Sequence, residues 1–90
     1  MMSKRDLKVP GGKLLRVKVE HEGGRILSAS ICGDFFLHPE EAIEGLEAAL
    51  SGARASDVEC IVGRFFRSVT AYGMDGKSVA LAILGCLEDA

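Results

Sequence analysis

The clearest pattern in this sequence is an alternation of apolar and polar positions between Lys13 and His21. Leu15, Val17 and Val19 fall on one side of an extended chain, and the residues on the other side are Leu14, Arg16, Lys18 and Glu20. A period of two is typical of a strand with one buried face. The sequence therefore predicts a half-buried strand here.

Glu22-Gly23-Gly24 predicts a tight turn after this strand, because glycine adopts positive φ without steric cost. Arg25–Cys32 then alternates again and predicts a second, antiparallel strand. Strict alternation places Leu27, Ala29 and Ile31 on one face, and Ile26, Ser28, Ser30 and Cys32 on the other.

Helical spacing follows the hairpin. Residues Gly33–Pro39 leave the second strand, and Pro39 suits the first position of a helix over Glu40–Leu50, which Gly52 would end. Ser56-Asp57-Val58-Glu59 has the form of a capping box, which predicts a second helix from Ser56 to Gly73. A third helix is predicted from Asp75, as N-cap, to the C-terminus.

Strand, strand and three helices predict an α+β fold, an antiparallel hairpin or small sheet covered on one face by about three helices. We assign residues 1–7 to an N-terminal extension and residues 8–90 to a single domain. No apolar run approaches the ~20 residues of a membrane span, so a cytoplasmic protein is expected, with no membrane partner.

Charge is distributed unevenly along the chain. Residues 1–18 carry six of the eleven basic residues and one acid, whereas the whole chain has a net charge of −2. This bias indicates either an acidic or phosphate-bearing partner or lysines that keep an exposed strand from pairing with other chains. The basic residues concerned are Lys4, Arg5, Lys8, Lys13, Arg16 and Lys18.

Motifs for catalysis are weak. Gly76-Lys77-Ser78 lacks the glycine that a phosphate loop requires five residues earlier, where Ala71 stands, and a helix is predicted before it. His21 and His38 have no metal-ligand spacing, so no metal site is predicted, and both are expected to be solvated or capping groups. Three dispersed cysteines are expected to be buried free thiols.

Two segments are candidates for binding a partner. Phe35 and Phe36 are adjacent at the strand-to-helix corner, so one can pack in the core while the other faces solvent or a partner. Pro10-Gly11-Gly12-Lys13 is either a plain turn or a flexible approach to the first strand that brings backbone close to another group.

Together these segments resemble the C-terminal accessory domain of lipoate–protein ligases. The resemblance covers residues 8–52 and rests on Lys8-Val9-Pro10-Gly11-Gly12-Lys13-Leu14, the Gly-Gly-Arg-Ile turn at 23–26, Gly33-Asp34-Phe35-Phe36 and the helix Glu40–Leu50. Gly-Asp-Phe-Phe after a hairpin is its most specific part. In archaeal-type two-chain ligases a domain similar to this one is a separate small subunit.

The resemblance implies a non-catalytic accessory subunit that forms a heterodimer with a large catalytic chain. The large chain would handle ATP, Mg and lipoate, form lipoyl-adenylate and transfer the lipoyl group to lysines of acceptor proteins. The acceptors are the lipoyl domains of 2-oxoacid dehydrogenases and the glycine-cleavage H protein. This chain alone would bind no cofactor and would not be an enzyme.

The residues expected at the interface are Gly11, Gly12, Lys13, Asp34, Phe35 and Phe36, with Lys13 also expected near the adenylate. Two alternatives stay open. One is a free-standing α+β module that binds protein or nucleic acid, although basic residues interleaved with aromatics are lacking. The other is a small enzyme with a thiol nucleophile, which would need a histidine beside a cysteine.

Overall fold

Three strands form an antiparallel sheet in the order β1-β2-β3 in the computed structural model, which describes residues 1–9 and 13–88. The strands are β1 Met2–Lys8, β2 Leu14–Glu22 and β3 Arg25–Gly33. A two-stranded antiparallel ribbon joins β4 Phe36–His38 to β5 Thr70–Tyr72. The helices are α1 Ala42–Leu50, α2 Ala55–Phe66 and α3 Gly76–Glu88.

The core lies between the sheet and the helices, as the α+β prediction required. Leu15, Val17 and Val19 of β2 are fully buried, so the predicted inner face of this strand is confirmed. Helix α3 contacts β1 and β2, and α1 contacts β3. In the described part of the chain, no helix has the length and apolar character needed to cross a bilayer.

Strand β1 occupies the segment that we assigned to an extension, and its residues pair with β2 from Met2↔Glu20 to Lys8↔Leu14. Sequence alternation did not predict it because the inward-facing Ser3 is polar. Ser3 is buried and its hydroxyl lies 3.0 Å from Nε2 of His21, which is itself buried. The expectation of a solvated or capping His21 was therefore wrong, whereas His38 is exposed.

The predicted faces of β3 were partly wrong. Ile26 is fully buried and Leu27 is 45% exposed, the reverse of strict alternation. The cause is a register shift at Glu20/His21, since Glu20 pairs with Ser28 but His21 pairs with Ile26. Leu27 is the additional residue of this β-bulge, which moves Ile26 onto the core face.

Helix boundaries also differ from the predicted ones. Helix α1 begins at Ala42, because Pro39–Glu41 form the turn that precedes it. Helix α2 begins at Ala55, where Oδ2 of Asp57 accepts a hydrogen bond from the backbone N–H of Arg54, so Ser56 is not the N-cap. It ends at Phe66, and β5 follows.

Asp75 is confirmed as the cap of α3, since its Oδ1 accepts a 2.7 Å hydrogen bond from the backbone N–H of Ser78. The element before Gly76-Lys77-Ser78 is the strand β5, and not the helix that the sequence predicted. Ala71 nevertheless occupies the position where a phosphate loop requires glycine, so the motif is still not met.

Substitution of Gly33 tests how closely the end of β3 approaches β2. The φ of Gly33 is +153°, and a methyl group there would lie 2.2 Å from the carbonyl oxygen of Leu14. We expect Gly33→Ala to lower the free energy of unfolding by about 2 kcal/mol, or roughly 10 °C in Tm. Gly45→Ala is the matched control, because Gly45 lies inside α1 with open space around it. Alanine there should stabilise by up to ~1 kcal/mol. Equal Tm values for both variants would contradict the close contact.

Candidate functional site

The β4–β5 ribbon presents two aromatic side chains outward. Phe36 and Tyr72 are directly opposite each other in the antiparallel register, so their side chains project from the same face. Phe36 is 77% exposed and Tyr72 is 66% exposed. The opposite face carries Leu37, which is buried, and Ala71, which packs against the core. We call Phe36, His38, Thr70 and Tyr72 the aromatic ribbon.

Phe35 and Phe36 separate as the sequence predicted. Phe35 is half-buried and packs against the hydrophobic core, while its neighbour projects into solvent. Exposed aromatic side chains of this size are uncommon on a surface that needs no partner, and aromatic residues dominate the energetics of protein interfaces. The ribbon is therefore the strongest docking feature in the described residues.

Lys13 and Asp34 lie at the end of the sheet next to this ribbon. The backbone N–H of Lys13 donates to the carbonyl oxygen of Gly73 at 3.0 Å, and the N–H of Asp34 donates to that of Leu14 at 3.1 Å. Gly73 has a φ of +85°, and a methyl group on it would lie 2.9 Å from Cγ of Lys13 and 3.6 Å from the Asp34 carbonyl oxygen.

Three of the predicted interface residues, Lys13, Asp34 and Phe36, thus come together at one end of the molecule. Phe35 supports the core there, and Gly11 and Gly12 lie outside the described residues. Tyr72 and Gly73 were not predicted as site residues, because the sequence pattern placed them in and at the end of a helix. The signal that could have found them is the alternation Thr70-Ala71-Tyr72 ahead of a glycine.

Two grooves adjoin each other at Cys32. A groove of about 460 Å³ is lined by Cys32, Phe36, Glu40 and Ile43, among others. A second groove, of about 280 Å³, lies on the outer face of the sheet between Lys4, Arg16, Lys18, Ser30 and Cys32. We call these five residues the basic sheet face.

The cysteines do not match the expectation of three buried thiols. Cys86 is buried, but Cys32 and Cys60 are exposed free thiols. Cys32 lies on the polar outer face of the sheet, directly opposite Arg16 of β2. The described residues that line its two grooves include no histidine. Among the described residues, His, Cys, Asp and Glu side chains form no metal-binding group of three or more.

A further apolar groove, of about 330 Å³, lies between α2 and α3. Its walls include Val62, Gly63, Leu81 and Leu84, and its charged members are Glu59 and Lys77. Leu81 is 57% exposed. This groove is separate from the ribbon, so its residues serve as controls for experiments on the ribbon.

The chain is 36% identical over 66 residues to lipoate-protein ligase A subunit 2 of Thermoplasma acidophilum, a match that covers 73% of this chain and 69% of that protein. This chain belongs to the family of that small ligase subunit. No protein-family model matches it.

Similarity to a solved structure supports the same family assignment. The solved structure has a TM-score of 0.85 and 31% sequence identity to this chain, and the match covers 92% of this chain and 94% of the other. That structure is described as an archaeal lipoylation system, a bi-partite lipoate protein ligase and its E2 lipoyl domain from Thermoplasma acidophilum. The resemblance predicted from residues 8–52 is thus confirmed at the level of family and fold.

Proposed function

We propose that this chain is the non-catalytic accessory subunit of a two-chain lipoate–protein ligase. It forms a heterodimer with a large catalytic chain, which activates lipoate with ATP and Mg to lipoyl-adenylate. The acyl group then passes to a lysine of an acceptor protein, such as a lipoyl domain of a 2-oxoacid dehydrogenase or the glycine-cleavage H protein. The observation that carries the proposal is the exposed Phe36–Tyr72 pair, in a chain of the small-subunit family.

A physical reason exists for a separate accessory subunit. Adenylation joins an anionic carboxylate to a polyphosphate, so the reaction benefits from positive charge and from exclusion of water. Transfer then requires a bulky acceptor to reach the same site, so any cover must move. A subunit anchored by a small aromatic surface can do both. Lys13 is exposed beside the ribbon, and we propose that it supplies positive charge during the first step.

Reconstitution is the direct test of this function. The isolated chain should neither form lipoyl-adenylate nor label an acceptor domain. Added to the large chain, it should restore lipoate-dependent release of pyrophosphate from ATP. Activity of the small chain alone, or full activity of the large chain without it, would refute the accessory role.

Phe36 and Tyr72 should anchor the large chain. Removing a central aromatic anchor typically costs about 2 kcal/mol or more, so Phe36→Ala and Tyr72→Ala should each weaken binding about thirtyfold, with Tm little changed. Phe35→Ala should instead lower the Tm, because Phe35 packs against the core. Leu81→Ala removes a comparably exposed apolar side chain in the α2–α3 groove and should leave affinity unchanged. Calorimetric titration and thermal melts separate these effects; a loss of affinity in Leu81→Ala alone would move the interface to that groove.

Lys13 should assist activation and not transfer. A lysine near the phosphates offsets charge without donating a proton, so Lys13→Ala should slow adenylate formation roughly tenfold, equivalent to ~1.4 kcal/mol. Transfer from preformed lipoyl-adenylate should be nearly unchanged. Single-turnover assays measure the rate of each half-reaction separately, with enough small subunit to saturate the large chain. Lys77→Ala is the control, since Lys77 is an exposed lysine on α3. Equal slowing of both steps by Lys13→Ala would indicate a docking defect.

A further inference from the structure

The aromatic ribbon is too small to be the whole interface. Specific, stable complexes bury about 800 Å² on each partner, whereas a fully covered aromatic side chain contributes about 150–250 Å². Phe36 and Tyr72 together therefore supply about 300–500 Å², which is at most roughly 60% of the required area. If the ribbon docks on a large chain, as proposed above, a neighbouring surface must complete the contact.

The grooves at Cys32 indicate where that neighbouring surface lies. Phe36 and Cys32 line one groove, and Cys32 also lines the groove between Lys4, Arg16 and Lys18. A continuous surface thus runs from the ribbon over Cys32 onto the basic sheet face. The cross-strand pairing Arg16↔Cys32 holds the two parts at a fixed spacing.

The charges on the basic sheet face are arranged at a cost to the isolated chain. Lys4 and Lys18 are directly opposite in the register, and like charges in that position are destabilising. Asp6, in the neighbouring row, is engaged by Arg16 at 3.1 Å. Lysines on an edge strand prevent pairing with other chains, which explains Lys4 on β1. Lys18 lies on the central strand β2, so the same explanation does not apply to it. An anionic partner would offset the repulsion.

We propose that the interface with the large ligase chain continues from the aromatic ribbon over Cys32 onto the basic sheet face, where it meets an acidic surface of the large chain. This inference rests on the proposed accessory function. The carboxylates of Asp6 and Glu20 alternate with the cations. A protein surface can place single carboxylates opposite the cations alone, so it fits this pattern better than the continuous phosphate backbone of a nucleic acid.

Reversal of one charge provides the test. Lys18→Glu replaces the like-charged pair by an opposite pair, so its Tm should be equal to or above that of the wild type. Its affinity for the purified large chain should nevertheless fall at least tenfold, and wild-type affinity should fall between 50 and 200 mM salt. Lys77→Glu makes the same charge change on α3 and should alter affinity less than twofold.

The native thiols report the footprint directly. Iodoacetamide should alkylate Cys32 and Cys60 in the free chain, since both are exposed. Binding of the large chain should slow alkylation of Cys32 at least tenfold and leave Cys60, on α2, unchanged. Unprotected Cys32, or equal losses of affinity in Lys18→Glu and Lys77→Glu, would overturn the extended interface while leaving the accessory function intact.

Two further outcomes would assign the basic sheet face to another role and so overturn the inference. One is that saturating amounts of the Lys18→Glu subunit support slower adenylation although the affinity of this variant for the large chain is unchanged. That result would indicate that the basic sheet face acts on the phosphates of the substrate. The other is displacement of the large chain by a single-stranded oligonucleotide. Failure of the wild-type chain to bind the large chain at all would refute the proposed function, and this inference with it.

Discussion

The start of strand β2 is the point on which the rest of the structure depends. Two backbone hydrogen bonds leave it toward the ribbon: the carbonyl of Leu14 accepts from Asp34, ahead of β4, and the N–H of Lys13 donates to Gly73, behind β5. Both strands of the ribbon are therefore tied to the same two residues of the sheet. Since the Leu14 carbonyl also leaves no space for a side chain at position 33, the chain turns toward β4 only with glycine there.

This arrangement explains how so small a domain can hold the backbone of the ribbon in place. A two-stranded ribbon of three residues a side is marginal by itself. Here its inner face, Leu37 and Ala71, continues the core, and its ends are fixed by backbone bonds to the sheet. Because the backbone of the ribbon is ordered in this way, it loses less conformational entropy on binding than a flexible loop would.

Sequence patterns predicted the elements that are governed by local periodicity. Spacing or a single turn is enough to predict the hairpin, the buried row of β2, the cap of α3 and the different exposure of Phe35 and Phe36. Features that depend on pairing between distant segments were missed. Strand β1 has a polar residue facing inward, β5 follows a helix whose apolar pattern continues into it, and the bulge at Leu27 exists only through its register with β2. Tyr72 was missed for the same reason, because only its pairing with Phe36 makes it part of a surface.

The outer edge of β3 is already occupied by groups from α1 and the segment after it. The carboxylate of Glu47 accepts from the N–H of Ile31, Ser51 donates its hydroxyl to the carbonyl of Leu27, and Gly52 and Ala53 bond both backbone groups of Ile26. An exposed strand edge is a template on which identical chains stack. Because these bonds already occupy backbone groups of Ile26, Leu27 and Ile31, a subunit synthesised before its partner can display an aromatic docking surface while offering less of this strand as a nucleus for aggregation.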